Sequence, residues 1–295
     1  MKQAMLLALS GALFCSTPAD SSFPGANGLI AFTRGSGDSD SVGLISPDGS
    51  GIATIVEDAA SPAWSADGRA LVFQRAVSGD LELFTVGADG TGLRRITHRG
   101  RDDFLPAWSP DRRRIVFTSD RRGGDRITAD AEIYVVNTDG SRLRRVTRNR
   151  VIDDSPAWSP DGKRIVFVRG GPKPGIYSLV LSGKRLFRLT RTRNDGAPAW
   201  SPDGHRIAFD RDRGGSSGQD LFVMNADGSN AHVVVASPTD DYMPAWAPDG
   251  TKLTFSRASE NGDGDIYVAD VDGQKITSLV ADSDDTFGTD WQPVR

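Results

Sequence analysis

The chain has 295 residues, a formal net charge of −4 and 25% charged residues. That is long enough for a large core, too well supplied with apolar residues for a disordered chain, and far from the basic balance of a nucleic-acid-binding protein. Its one cysteine, Cys15, falls within the first twenty residues, so no disulfide is expected beyond them.

Those twenty residues read MKQAMLLALSGALFCSTPAD. A lysine near the start, an apolar run from Ala4 to Phe14 and small residues around Thr17 to Ala19 fit a cleaved secretory signal, and the run is too short to span a bilayer. A signal peptide is therefore expected over residues 1–22. Phe14 stands where a lipidated Cys15 would want a small neighbour. No later segment is apolar enough for a transmembrane helix, so the expectation is an exported protein, periplasmic or extracellular.

Six tryptophans then organise the chain: Trp64, Trp108, Trp158, Trp200, Trp246 and Trp291, at steps of 44, 50, 42, 46 and 45 residues. After each of the first five, a phenylalanine follows at the ninth residue: Phe73, Phe117, Phe167, Phe209 and Phe255. A fixed core within a variable period of this length marks stacked supersecondary units. Each copy opens with a short strand and a turn, as in PAWSPDG. Proline presets φ for the second turn position, aspartate tolerates the third, and glycine supplies the left-handed residue. In the copy around Trp108 the sequence SPDRRRIVF puts Arg112 at that glycine position, at a cost of about 1 kcal/mol. The next runs, RALVF, RIVF and RIAF, are continuously apolar, as in strands buried on both faces.

A third strand carries an aromatic residue (LELFTV, EIYVVN, GIYSLV, DLFVMN, DIYVAD). A second Asp-Gly turn usually follows, then a fourth strand such as LRRIT. Helix signals are nearly absent. Four-stranded antiparallel units at this period are blades of a β-propeller, so the fold class is all-β with six blades. The first unit has only three strands of its own (NGLIAFTRG, VGLIS, GIATIV), and TDWQPVR at the other end is a first strand without partners. Closure by this C-terminal strand completes the sixth blade and removes an open edge. Phe23, nine residues before Phe32, also sits in the tryptophan register, but too little chain remains there for a whole strand after a cleaved leader.

The pattern PAWSPDGKRIVF…IYVVNTDGSRLRRVT resembles the WD40-like (PD40) repeats of TolB-type β-propellers. The resemblance runs from about Phe23 to Arg295 and covers the propeller part of that family only. It implies one propeller domain over residues 23–295, and it is far more specific for fold than for activity.

Strand direction puts both short turns of every blade on one face, the bottom. The top face receives the links between blades and the varied loops GSGDSDS, DRRGGDRITADAE, GGPKPG, RDRGGSSGQD and ASENGDGD; variable loops on a rigid scaffold are where binding is usually placed. Five or six residues before each tryptophan lies at least one acid: Asp58, Asp102, Asp103, Asp153, Asp195, Asp240, Asp241 and Asp285. Two residues after the second-strand phenylalanine lies an arginine in five blades: Arg34, Arg75, Arg169, Arg211 and Arg257. Two readings stand side by side: acids and arginines pair to cap strand ends, or the acids form an axial funnel that attracts a cation or a basic peptide. Phe104, Tyr242 and Phe287 join the acids, either as plugs between blades or as interface anchors. The candidate binding residues are Asp103, Phe104, Asp153, Asp154, Asp195, Asp241, Tyr242, Asp285 and Phe287.

Catalytic signals are poor. His98, His205 and His232 lie in a top link, a bottom turn and an outer strand, too far apart to share a metal or activate a nucleophile. The stretch GGSSG (214–218) lacks the strand-to-helix elbow of a nucleophile motif. NGDGD (261–265) imitates a calcium loop but has Ile266 where glycine is required. The expected function is a non-enzymatic, monomeric binding propeller for a protein, peptide or envelope polymer, not for nucleic acid, with no cofactor beyond a divalent cation such as calcium in the acidic ring. The alternatives are a hydrolase or lyase using axial carboxylates, with or without a metal, and a purely structural module.

Overall fold

A computed structural model describes residues 23–36, 39–98, 101–120, 131–214, 218–259, 263–281 and 284–294. The leader with Cys15, and parts of the loops GSGDSDS, DRRGGDRITADAE, GGSSG and NGDGD, lie outside the described residues.

The described residues form six four-stranded antiparallel sheets. Blade 1 joins the two ends of the chain: the inner strand Asp285–Val294 pairs with Ala26–Ser36, followed by Ser39–Ile45 and Ala53–Glu57. Blades 2 to 6 are sequential meanders whose inner strands are Ala60–Trp64, Asp103–Trp108, Asp153–Trp158, Asp195–Trp200 and Asp241–Trp246. Each inner strand touches the inner strands of both neighbouring blades, so the six surround a common axis. This is the six-bladed propeller expected from the repeats, closed by its C-terminal strand. Among the described residues the one helical element is a 3-10 turn, Ser182–Lys184, where blade 4 lacks the second Asp-Gly turn.

Alternation along the strands explains why the apolar runs are continuous. Between blades 4 and 5, Ala157, Val166 and Ile176 of one sheet pack against Trp200, Ile207, Phe209 and Met224 of the next. Val166 therefore faces forward round the ring, while its neighbours Ile165 and Phe167 face back, in a cluster with Trp158. Both faces of a blade are core, as P-A-W and R-I-V-F demand. The arginine that opens a second strand covers the tryptophan of the following blade: Arg114 lies 4.7 Å from the Trp158 ring, Arg164 4.9 Å from Trp200, and Arg206 4.6 Å from Trp246. Truncating so large a buried aromatic costs about 3–5 kcal/mol.

The bottom turns are small closed circuits. In Ser159–Gly162 the Asp161 carboxylate accepts hydrogen bonds from the Ser159 hydroxyl at 2.6 Å and the Lys163 N–H at 3.0 Å, and the Ser159 hydroxyl accepts from the Arg164 N–H at 2.9 Å. Gly162 is left-handed at φ 67°, and Arg112, its counterpart near Trp108, is held at φ 59°. Phe23 is buried in the cluster that includes Ala63 and Ala66, and Gly25 donates to the Pro248 carbonyl at 3.2 Å, so the start of the described chain is pinned to the bottom face.

Candidate functional site

The acids near the axis fall into two rings with different tasks. Five residues before tryptophan stand Asp103, Asp153, Asp195 and Asp241, all buried. Three of them hold arginine forks of their own blade. Arg169 donates to Asp153 through Nε and Nη2, both at 2.6 Å. Arg211 donates to Asp195 at 2.5 and 3.1 Å, and Arg257 to Asp241 at 2.6 and 3.0 Å. The same guanidinium groups lie over the second- and third-strand aromatics, as Arg211 does over Phe209 at 5.1 Å and Phe222 at 4.8 Å. In blade 3 the arginine position is Ser119, whose hydroxyl donates to Asp103 at 2.5 Å. Bidentate charge-assisted bonds of this kind are the strong class. Burial pushes the Asp153 carboxyl up, against the opposing effect of Arg169.

Six residues before tryptophan the acid reaches back to the preceding blade. Asp102 accepts from the Leu81 N–H at 2.8 Å, Asp240 from Gln219 at 2.7 Å and Asp285 from Gly264 at 2.6 Å, each at or near the start of a third strand. Burial raises the Asp285 carboxyl, the Gly264 N–H opposes it, and the charge of Asp263 adds to the rise. Asp285 thus belongs with Asp102 and Asp240 rather than with Asp103, Asp153, Asp195 and Asp241. Where a blade lacks the deeper acid, its arginine goes elsewhere: Arg34 pairs with Asp284 at 2.8 Å, and Arg75 donates to the carbonyls of Asp58 and Glu57.

Four residues before tryptophan stand Phe104, Asp154, Tyr242 and Phe287, all half-buried, at the top ends of strands that line the axis. Blades 2 and 5 have Ala60 and Gly196 there. This set, not the deeper acids, presents partly exposed side chains at the mouth.

Beneath it runs a girdle that sequence reading missed. Each inner strand carries a register shift at this level, with left-handed backbone at Ser61 (φ 55°), Leu105 (53°), Ser155 (53°), Ala197 (36°), Met243 (57°) and Gly288 (62°). In four of the six blades the bulged N–H donates to a side chain of the preceding blade: Ser61 to Thr33 at 2.9 Å, Leu105 to Gln74 at 3.0 Å, Met243 to Asp210 at 3.0 Å and Gly288 to Ser256 at 3.2 Å. Between blades 3 and 4, the Thr118 hydroxyl donates to Asp154, which also accepts from the Ser155 N–H. Blade 4 offers Val168 at the equivalent place, which supplies no side-chain acceptor for Ala197. The signal was present in the sequence as a polar residue after the phenylalanine, in IAFD and LTFS.

Two interior carboxyls are also new. Burial raises the Asp210 carboxyl to about 7, with the Met243 N–H opposing and Asp195 adding; a Cβ at Gly196 would lie 2.4 Å from its Oδ1. Asp290 replaces the alanine that precedes the other five tryptophans. The Ser65 N–H bonds Ala70 within blade 2, so the Trp64 N–H, one residue back, points from the sheet edge toward the axis. There Asp290 accepts from it at 2.5 Å and from the Trp291 N–H at 2.9 Å. Burial raises this carboxyl to about 8. Among the described residues no group of three or more His, Cys, Asp or Glu is placed to hold a metal ion, and no helix is long and apolar enough to cross a membrane.

With this geometry in view, the comparisons with known proteins are informative about fold. The family model for the TolB beta propeller domain, PD40, matches residues 49–130 and 190–293. TolB from Acinetobacter baumannii is 21% identical and superposes with a TM-score of 0.79 over 90% of this chain and 67% of its own. The putative TolB from Agrobacterium tumefaciens is 20% identical, with a TM-score of 0.67 over 91% and 99%. An oligogalacturonate lyase from Vibrio parahaemolyticus, at 13% identity, gives 0.61 over 91% and 79%.

Proposed function

This chain belongs to the TolB beta-propeller (PD40) family, and from that premise we propose that it is an exported, non-enzymatic scaffold that binds a protein or peptide partner at the axial mouth of its top face. One observation carries the reading. Phe104, Asp154, Tyr242 and Phe287 share a register and stay half-buried above a rigid girdle, while the acids below them are already engaged. Aromatic side chains with few rotatable bonds on a fixed frame are the usual anchors of protein interfaces. In this reading Phe104, Tyr242 and Phe287 make the contacts, Asp154 and Asp285 add polar ones, and Asp103, Asp153, Asp195 and Asp241 hold the frame. The hydrolase or lyase alternative has less support, because its candidate carboxylates are buried against Arg169, Arg211, Arg257 and Ser119.

The test is capture from the native envelope or medium with tagged protein. A partner retained by the unaltered chain should be lost with Phe104→Ala, Tyr242→Ala and Phe287→Ala combined, at unchanged melting temperature. Variants in bottom turns, His205→Ala and Lys252→Ala, should retain it. A partner that follows the bottom-turn variants instead would place binding on the other face.

A further inference from the structure

Charge is distributed unevenly along this chain. Residues 94–193, from the outer strand of blade 2 to the link before blade 5, contain 24 of the 35 Lys and Arg but 11 of the 39 Asp and Glu, a formal charge of +13. The remainder carries −17. Part of this imbalance reaches the top face. On the links that leave blades 2, 3 and 4, and on the top loop of blade 4, Arg101, Arg148, Arg150, Lys173, Arg191 and Arg193 are all exposed. None of these six forms an ion pair among the described residues. On the opposite side, Asp40, Glu57 and Asp58 are exposed and Asp240 and Asp284 half-buried. Successive links follow successive blades, so the cations form one arc and the acids the facing arc.

We propose that the basic arc over blades 2 to 4 docks an acidic polypeptide segment of the partner; this rests on the reading that the top face engages a protein. Three physical points select that occupant. First, five of the six exposed cations of the arc are arginine. The guanidinium fork matches carboxylates two bonds at a time, as Arg169, Arg211 and Arg257 already do inside this protein, whereas lysine would serve solubility equally well. Second, shape excludes a broad anionic surface. A lipid bilayer laid on this face would bring its headgroups against the acidic arc as well as the basic one, while an extended chain fits on one arc alone. Third, half-buried Phe104 lies three residues after Arg101, at the top of the strand that this link enters, and gives the arc an apolar contact that an acidic segment with an apolar side chain would use. The split field also orients the partner before contact, since opposite ends of the face attract opposite charges.

The experiment is fluorescence anisotropy of a labelled ten-residue polyglutamate peptide with the full chain. Binding is expected at about 20 mM salt and should weaken at least about tenfold by about 200 mM, as screening of exposed charges requires. Reversing four cations, Arg148→Glu, Arg150→Glu, Arg191→Glu and Arg193→Glu, should weaken it at least about tenfold more, with an unchanged melting temperature. Single reversals at Arg150 and Arg193 keep the test valid should the fourfold variant misfold; each should cost about two- to fourfold. Equal binding by the reversed variants, or no binding at low salt, overturns the proposal. So does a chain that ignores the peptide but sediments with phosphatidylglycerol vesicles, which would assign the arc to a membrane. The bottom-turn variant His205→Ala, Lys252→Ala should bind the peptide normally, and the aromatic mouth is tested by partner capture rather than by the peptide, so failure of the arc and failure of the mouth are read separately.

Discussion

The two faces of this propeller use aspartate in opposite ways. On the bottom, Asp67, Asp111, Asp161 and Asp203 sit in near-identical turns. Burial would raise these carboxyls, but hydrogen bonds from a serine hydroxyl and backbone N–H groups, with a nearby arginine, hold them below the ordinary range. Toward the axis and the top, Asp153, Asp210, Asp285 and Asp290 are raised, and burial is the leading cause in every case. A turn at the surface lets water and local donors solvate the charge; a site inside the ring removes water, so that even the Arg169 fork leaves the Asp153 carboxyl raised. The same residue type is a turn-former on one face and a strut within or between blades on the other.

The largest test of that contrast removes one arginine from each region. Arg211→Ala leaves Asp195 buried without its fork and uncovers Phe209 and Phe222, which should cost about 3–5 kcal/mol. Arg114→Ala removes an exposed pair with Asp111 at 3.0 Å, worth about 0–1 kcal/mol, and cover over Trp158 worth about 0.5–2 kcal/mol. Denaturant melts of both variants decide it, and equal losses would break the comparison.

The next effect is a pH slope. Asp210 and Asp290 have folded-state pKa values of about 7 and about 8, well above the unfolded value. Between about pH 4 and those values the folded state keeps protons that the unfolded chain has released, so stability falls as pH rises through the window and is level below it. The bottom-turn acids act in the other direction, losing their smaller contribution only as pH falls through their depressed values. Melting temperature should therefore decline from about pH 5 to pH 8, by an amount equivalent to a few kcal/mol. Asp210→Asn or Asp290→Ala should flatten the slope; alanine is what the other five blades carry before tryptophan. A wild-type profile flat across that range would show that neither carboxyl is held neutral.

The smallest effect lies in the turn that breaks its own pattern. Arg112 occupies a left-handed position at φ 59° that glycine fills elsewhere. Arg112→Gly should gain about 1 kcal/mol from relieved strain, less up to about 1 kcal/mol for its exposed ion pair with Asp67. A melting temperature higher by a degree or two is the expected sign, and a clear loss would show that the ion pair outweighs the strain.

The repeat of tryptophan, phenylalanine and Asp-Gly determined blade number, strand order, the bottom turns and the closing strand. Each of these follows from chemistry within one repeat: a turn needs its glycine, a doubly buried strand needs a continuous apolar run, and an unpaired TDW strand needs an edge. What only the tertiary structure decided is which acids do what. Asp102 and Asp103 are adjacent in sequence, yet one reaches back to blade 2 and the other stays with Ser119 of blade 3. Asp210 and Asp290 acquire their roles only where the neighbouring blade brings the Met243 and Trp64 N–H groups to them. The split of the top face likewise required the ring, because charges far apart along the chain become two arcs only when the blades close. Contacts between blades depend on residues about 20 to 230 positions apart, and no local pattern encodes which of them will meet.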